Sequence, residues 1–261
     1  MKNKIASIFF AFVVLISSFL LIINYPQWYY FEDNLEYKQF RIFYDKPISK
    51  NAVQVLDRVE ELIKQSSFFE PNLKFKIFLR NDPKKYNIFP FQFNDKGFGQ
   101  TIQFVSNNIF INHCDLDANI SFSGLSDSRD LVSVIAHEIV HVLIEKQFGY
   151  FARRIKPLLI RSEFSSFGYQ WKEEGYAEHI AGGSPGLGSL GDGVKTLKRN
   201  DVPANKVHHA EYFKYWLAVK YLLEAEKITQ ADIFLRDYDL EELVLKATSF
   251  YEKQEKPARN F

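Results

Sequence analysis

The 261-residue sequence predicts an α+β protein: a mixed layer of strands and helix with an edge strand, then a buried helix, then a mainly helical C-terminal part. Three observations carry that expectation. Upstream of residue 113, short runs rich in β-branched and aromatic residues flank one long stretch of helical period. Residues 130–145 are apolar almost all round, the mark of a helix enclosed by other elements. Beyond residue 209, apolar positions recur at helical spacing. A composition that is 46% hydrophobic, with 26 Phe and 14 Tyr, is ample for the core of one or two domains. The single cysteine, Cys114, excludes an intrachain disulfide and reads as a small buried hydrophobe, so packing must hold the fold. A net charge of +1 argues against a polyanionic partner such as nucleic acid.

Taken in order, the first element is an apolar run over residues 5–23, preceded by Lys2 and Lys4. That run has membrane length, and the lysines place its start in the cytoplasm and the body of the protein outside. It ends in Ile22-Ile23-Asn24-Tyr25-Pro26-Gln27-Trp28-Tyr29-Tyr30, which suits a membrane–water interface and lacks the small-x-small exit of a cleaved signal. Residues 1–25 are therefore read as a single-pass signal-anchor, the alternative being secretion after signal cleavage. Residues 26–38 read as a juxtamembrane linker, 39–250 as the folded domain and 251–261 as a polar tail. Within the domain, strand is predicted over 40–44, helix over 49–67 and strand over 74–79. Residues 102–105 and 109–112 flank Ser106-Asn107-Asn108 and predict a hairpin.

The buried helix carries His137-Glu138-Ile139-Val140-His141, an H-E-x-x-H run. Four residues make about one helical turn, so both imidazoles point the same way and can hold one metal ion, with Glu138 beside it. Unpaired, these groups would cost several kcal/mol in so apolar a helix, whereas a cation satisfies them together. A zinc ion of this kind takes a third protein ligand. Trp171-Lys172-Glu173-Glu174-Gly175-Tyr176-Ala177-Glu178 reads as a second helix ended by Gly182-Gly183, with Glu174 and Glu178 one turn apart. His179 points about 100° away from Glu178 and suits the role less well.

An H-E-x-x-H run followed some thirty residues later by W-x-x-E-G-[FY]-A-E resembles the gluzincin metallopeptidases, a group that includes thermolysin-like and aminopeptidase-like enzymes. The resemblance implies that residues 39–250 form a gluzincin-like catalytic domain. It implies that His137, His141 and Glu174 bind one Zn²⁺, that Glu138 is the general base, and that Glu178 accepts a hydrogen bond from His137. It further implies a peptide or protein substrate, bound by strand addition to the edge of the predicted hairpin. Gluzincins place a Tyr or His from the C-terminal helices near the zinc to stabilise the oxyanion. Here His208, His209, Tyr212 and Tyr215 are candidates, and spacing does not choose among them. The G-x-M-E-N run of the aminopeptidases is missing, which argues against an exopeptidase.

Gly186, Gly188 and Gly191 form a G-x-G-x-x-G run, but no strand precedes it and no G-K-[ST] follows. A nucleotide site is therefore not expected, and residues 182–193 read as a flexible loop. Helices are predicted over 209–226 and 230–247. The activity expected is zinc-dependent peptide-bond hydrolysis by a membrane-anchored enzyme, with a catalytically inactive, zinc-stabilised binding module as the alternative.

Overall fold

The computed structural model describes residues 2–82, 97–102, 106–124, 127–149, 166–183 and 186–255. It is an α+β structure with two compact units, one comprising Met1–Leu56 and Pro71–Ile135, the other Asp57–Glu70 and Ala136–Phe261.

The first unit begins with helix α1 (Lys2–Asn24) and the single turn α2 (Gln27–Tyr30). Strands β1 (Asp33–Tyr37), β2 (Phe40–Tyr44), β3 (Phe75–Arg80), β4 (Gly99–Ile102) and β5 (Asn108–Asn112) form a sheet in the order β1-β2-β3-β5-β4. The β2–β3 and β3–β5 pairs are parallel, and the β1–β2 and β4–β5 pairs are antiparallel. A parallel β2–β3 pair needs a crossover, and α3 (Ala52–Ile63) lies between them in the chain, burying Ala52, Val55, Leu56, Val59 and Ile63 at helical spacing. Central parallel strands bury both faces, hence their continuous apolar runs. Phe40, Ile42, Phe75, Ile77, Ile109 and Ile111 are buried at alternating positions on one face. On the other, Phe43, Phe78 and Phe110 stack in register, with successive centroids 4.9 and 5.0 Å apart. Three short strands, β6 (Cys114–Asp115), β7 (Ile120–Phe122) and β8 (Ser128–Asp130), form a second antiparallel sheet before α4 (Leu131–Phe148).

In the second unit, α5 (Ser166–Ile180), α6 (Leu190–Arg199), α7 (Val207–Glu224), α8 (Gln230–Leu235) and α9 (Leu240–Glu255) follow. Helix α7 packs most extensively on α5 and α9. Phe68, Phe148, Tyr176 and Phe234 cluster with ring centroids 5.1–5.8 Å apart.

Several sequence expectations are corrected here. Residues 26–38, read as linker, contain α2 and β1, because Glu32 N–H donates to Tyr44 O at 3.1 Å and the β1–β2 ladder continues from there. The first hairpin strand is Gly99–Ile102 rather than 102–105, with Ile102 opposite Asn108; residues 103–105 lie outside those described. Helix α3 stops at Ile63, where the Ser66 N–H turns back onto the Ile63 carbonyl. The loop predicted over 182–193 ends at Ser189, whose side chain caps α6 by accepting from Asp192 N–H. The helix predicted over 230–247 is two helices. Thr229 caps the first, and Asp239 accepts from Glu242 N–H to cap the second. That second helix runs to Glu255, into the predicted tail. Tyr251 is buried and its hydroxyl donates to Glu224 Oε2 at 3.1 Å.

Candidate metal centre

Helix α4 starts where Asp130 Oδ1 accepts from Ser133 N–H at 3.0 Å, so the chain enters it with a capped first turn. From Leu131 to Glu145 nearly every residue is buried, and His137, Glu138 and His141 are buried among them. The i, i+4 spacing brings His137 Nε2 and His141 Nε2 to 3.1 Å.

Helix α5 supplies the opposing carboxylates. Its C-terminal end is a Schellman turn: Gly183 N–H donates to Glu178 O, Gly182 N–H to His179 O, and both glycines have positive φ, 98° and 112°. Upstream of that stop, Glu174 Oε2 lies 3.2 Å from His137 Nε2 and 3.6 Å from His141 Nε2. Glu178 Oε1 faces the other ring nitrogen, His137 Nδ1, at 3.0 Å. His179 is not part of the cluster; burial, then Lys220, lowers its pKa.

The three facing atoms fit one small cation. With metal–ligand bonds of about 2.0–2.1 Å, a tetrahedron has edges of about 3.3–3.4 Å. The observed edges of 3.1, 3.2 and 3.6 Å bracket that value. Glu174 Oε2 is a buried acceptor that takes no protein hydrogen bond. Two imidazole nitrogens and a carboxylate oxygen aimed at one point favour a positive charge there. The pKa shifts within the cluster follow from the same field. Burial opposes the imidazolium of His137, but Glu178 and Glu174 outweigh it and push that group up to about 10. For His141, burial is likewise overcome by Glu174. Glu174, despite its burial, is held well below the usual carboxylate range by His141 and His137.

Of the four candidates on α7, Tyr212 alone joins the cluster. Its hydroxyl bonds to Glu174, and its ring lies 6.4 Å from that of His137. Burial, then the charges of Glu174, Glu178 and Glu138, raise its pKa, so the phenol stays protonated. Tyr215 only feels Glu174 at a distance, after burial and Glu211. His208 is exposed and packs on the Tyr212 ring, 4.5 Å between centroids. His209 turns to the glycine loop instead, where a Cβ on Gly186 would stand 1.7 Å from its Nδ1.

One residue with a role in building the site escaped sequence reasoning. A Cβ on Gly175 would stand 2.3 Å from the Tyr215 carbonyl oxygen, so only glycine lets α7 approach α5 closely enough to set Tyr212 over Glu174. The signal was a glycine inside a helix, which costs about 1 kcal/mol against alanine and so wants a packing reason. Tyr176, next to it, steadies α5 through Ser66 Oγ at 2.8 Å and Gln230 Oε1 at 2.5 Å. The glycines read as loop have local uses too: Gly186 and Gly188 adopt positive φ, and Gly193 is the spot on α6 where the Phe213 ring presses. Comparison with known proteins finds no matching family model and no matching curated sequence.

Proposed function

We propose that this chain is a zinc-dependent peptidase of gluzincin type, held to a membrane by α1 with its body on the side away from the cytoplasm. The observation that carries the reading is the triangle of His137 Nε2, His141 Nε2 and Glu174 Oε2, with Glu138 buried on the same helix between the two histidines. His137, His141 and Glu174 would hold the zinc, which would supply Lewis acidity to acidify water near neutral pH and polarise a carbonyl. Glu138 takes a proton from the attacking water on its carboxylate and hands it to the departing amine, so an amide and water become an acid and an amine. Glu178 holds the proton of His137 on Nδ1, leaving the Nε2 lone pair for the metal. Tyr212, kept protonated by burial and by the surrounding carboxylates, donates its hydrogen bond to the oxygen that gains charge. The apolar stretch Ser7–Asn24 is long and apolar enough to cross a membrane, and the lysines before it favour the stated orientation.

The test is metal content of the full chain, purified without added metal, beside a His137→Ala, His141→Ala double variant, followed by a peptide-library digest. About one zinc per chain that the variant lacks, with cleavage abolished by Glu138→Gln, supports the reading. Zinc without turnover would leave a zinc-stabilised binding module, and no zinc after reconstitution would remove both.

A further inference from the structure

The joint between α1 and the first sheet carries more than a tether would. Along Ser7–Asn24 the helix is almost wholly exposed, but its end is built into the fold. Ile23 is 5% exposed, and its carbonyl accepts from Asn108 Nδ2 at 2.7 Å, Asn108 being itself 1% exposed at the start of β5. Tyr25 N–H closes the last turn onto Leu21 O, and the Tyr25 ring stacks on exposed Trp28, centroids 4.6 Å apart. Lys76 Nζ of β3 sits 5.1 Å from the Tyr25 centroid. Phe31 then packs on Phe78, 5.0 Å away, and Glu32 begins the pairing with β2. From Leu21 to Asp33 nearly every step is tied down, leaving little length to act as a hinge.

That joint rests on a charged row of the sheet. Strand register places Glu36 opposite Arg41 and Arg41 opposite Lys76. Arg41 is exposed, one strand spacing of about 4.8 Å from Lys76. Lys76 therefore lies beside the residue that follows the apolar helix, and Arg41 stands one strand further along the row. Tyr and Trp at such a helix end sit at headgroup depth, which puts Lys76 and Arg41 beside the phosphates.

We propose that α1 and the five-stranded sheet are one body, and that the end of the sheet where β2 and β3 begin, bearing Arg41 and Lys76, lies on the anionic headgroup surface of the bilayer that α1 spans. This rests on the anchor reading above. Retaining α1 is then part of folding, since cutting after Asn24 would strip Asn108 of its partner and uncover the joint.

The experiment uses the full chain with Glu36→Cys carrying a bimane fluorophore; Cys114 is buried and stays unlabelled. The chain is reconstituted in phosphatidylcholine vesicles with or without one quarter phosphatidylglycerol, each doped with headgroup-nitroxide lipid. The proposal expects the label to be quenched at least twofold more in the anionic vesicles, and Arg41→Glu to remove that difference. Equal or no quenching of a vesicle-bound chain would overturn it while leaving the anchor reading intact. An intact mass showing cleavage within or after α1, or recovery in the soluble fraction, would overturn both.

Discussion

Two sets of buried polar groups in this molecule are satisfied in opposite ways. Around Arg80 and Asn112, donors are joined to acceptors of the protein. Arg80 Nε donates to Asn112 Oδ1 at 2.6 Å, Asn112 Nδ2 donates to Gly97 O at 2.8 Å, and Ser121 Oγ donates to Asn112 O at 2.9 Å. Arg80 Nε, Asn112 Nδ2 and Ser121 Oγ each meet a protein acceptor, so these contacts need nothing from solution. In the α4–α5 cluster, three lone-pair atoms face one another at 3.1–3.6 Å. A buried group of acceptors is complete only with a positive charge among them, a proton or a metal ion. The difference teaches where to look for chemistry: a closed network stiffens a core, and an open one awaits something from solution.

The sharpest way to break the comparison is Glu138→Gln. Peptide cleavage should fall about 10²–10⁴-fold with zinc content unchanged, since only the proton carrier is lost. Activity within tenfold of the parent would end Glu138's role as base.

Gly175→Ala follows in size. The added methyl would meet the Tyr215 carbonyl at 2.3 Å, and overpacking of this kind costs about 1–3 kcal/mol. Urea titration should show that loss together with weaker zinc binding, because α7 is displaced from Glu174. An unchanged midpoint would mean the helices yield easily.

Glu178→Gln removes the charge facing His137 Nδ1 and should weaken zinc about 10–100-fold without preventing folding. Competition with a chromophoric chelator measures it. In contrast, Asn112→Ala removes the partners of Arg80 Nε and Gly97 O and should destabilise by about 1–3 kcal/mol in zinc-loaded and chelated protein alike. A zinc-dependent cost there would erase the distinction drawn above.

The last effect is on pH. In chelated protein, the Glu178 and Glu174 carboxylates overcome burial and raise His137 to about 10, against 6.5 for the free side chain. The native state then holds a proton that the unfolded chain releases, so this contribution is full below about pH 6.5 and is lost as pH rises towards 10. Zinc competes for the same nitrogen, so its affinity rises over that window and its binding releases protons. Thermal melts from pH 6.5 to 9.5 should show the gap between loaded and chelated protein widening. A constant gap would show that no such proton is held.

How much of this was legible in the sequence follows the range of each interaction. Residues 40–44 and 74–79 alternate or run apolar because neighbours along a strand share its faces, and the strands found there differ by at most one residue at an end. Helix boundaries are less legible: the local caps at Ser189 and Asp239 lie inside segments that read as a loop and as one continuous helix. The register of β4 depends on Ile102 meeting Asn108 across residues whose side chains carry little pattern.

By itself the sequence determined the two one-turn spacings, His137 with His141 and Glu174 with Glu178, because helical geometry converts four residues into one face without outside help. It determined the apolar length of α1 for the same reason. Only the tertiary structure decided that His137, His141 and Glu174 converge on one point with Glu178 behind His137, that Tyr212 rather than His208, His209 or Tyr215 reaches Glu174, and that the end of α1 belongs to the sheet. Those outcomes turn on the rotation and approach of elements some 30 to 85 residues apart, set by contacts such as Gly175 on Tyr215 and Asn108 on Ile23 that no local period encodes.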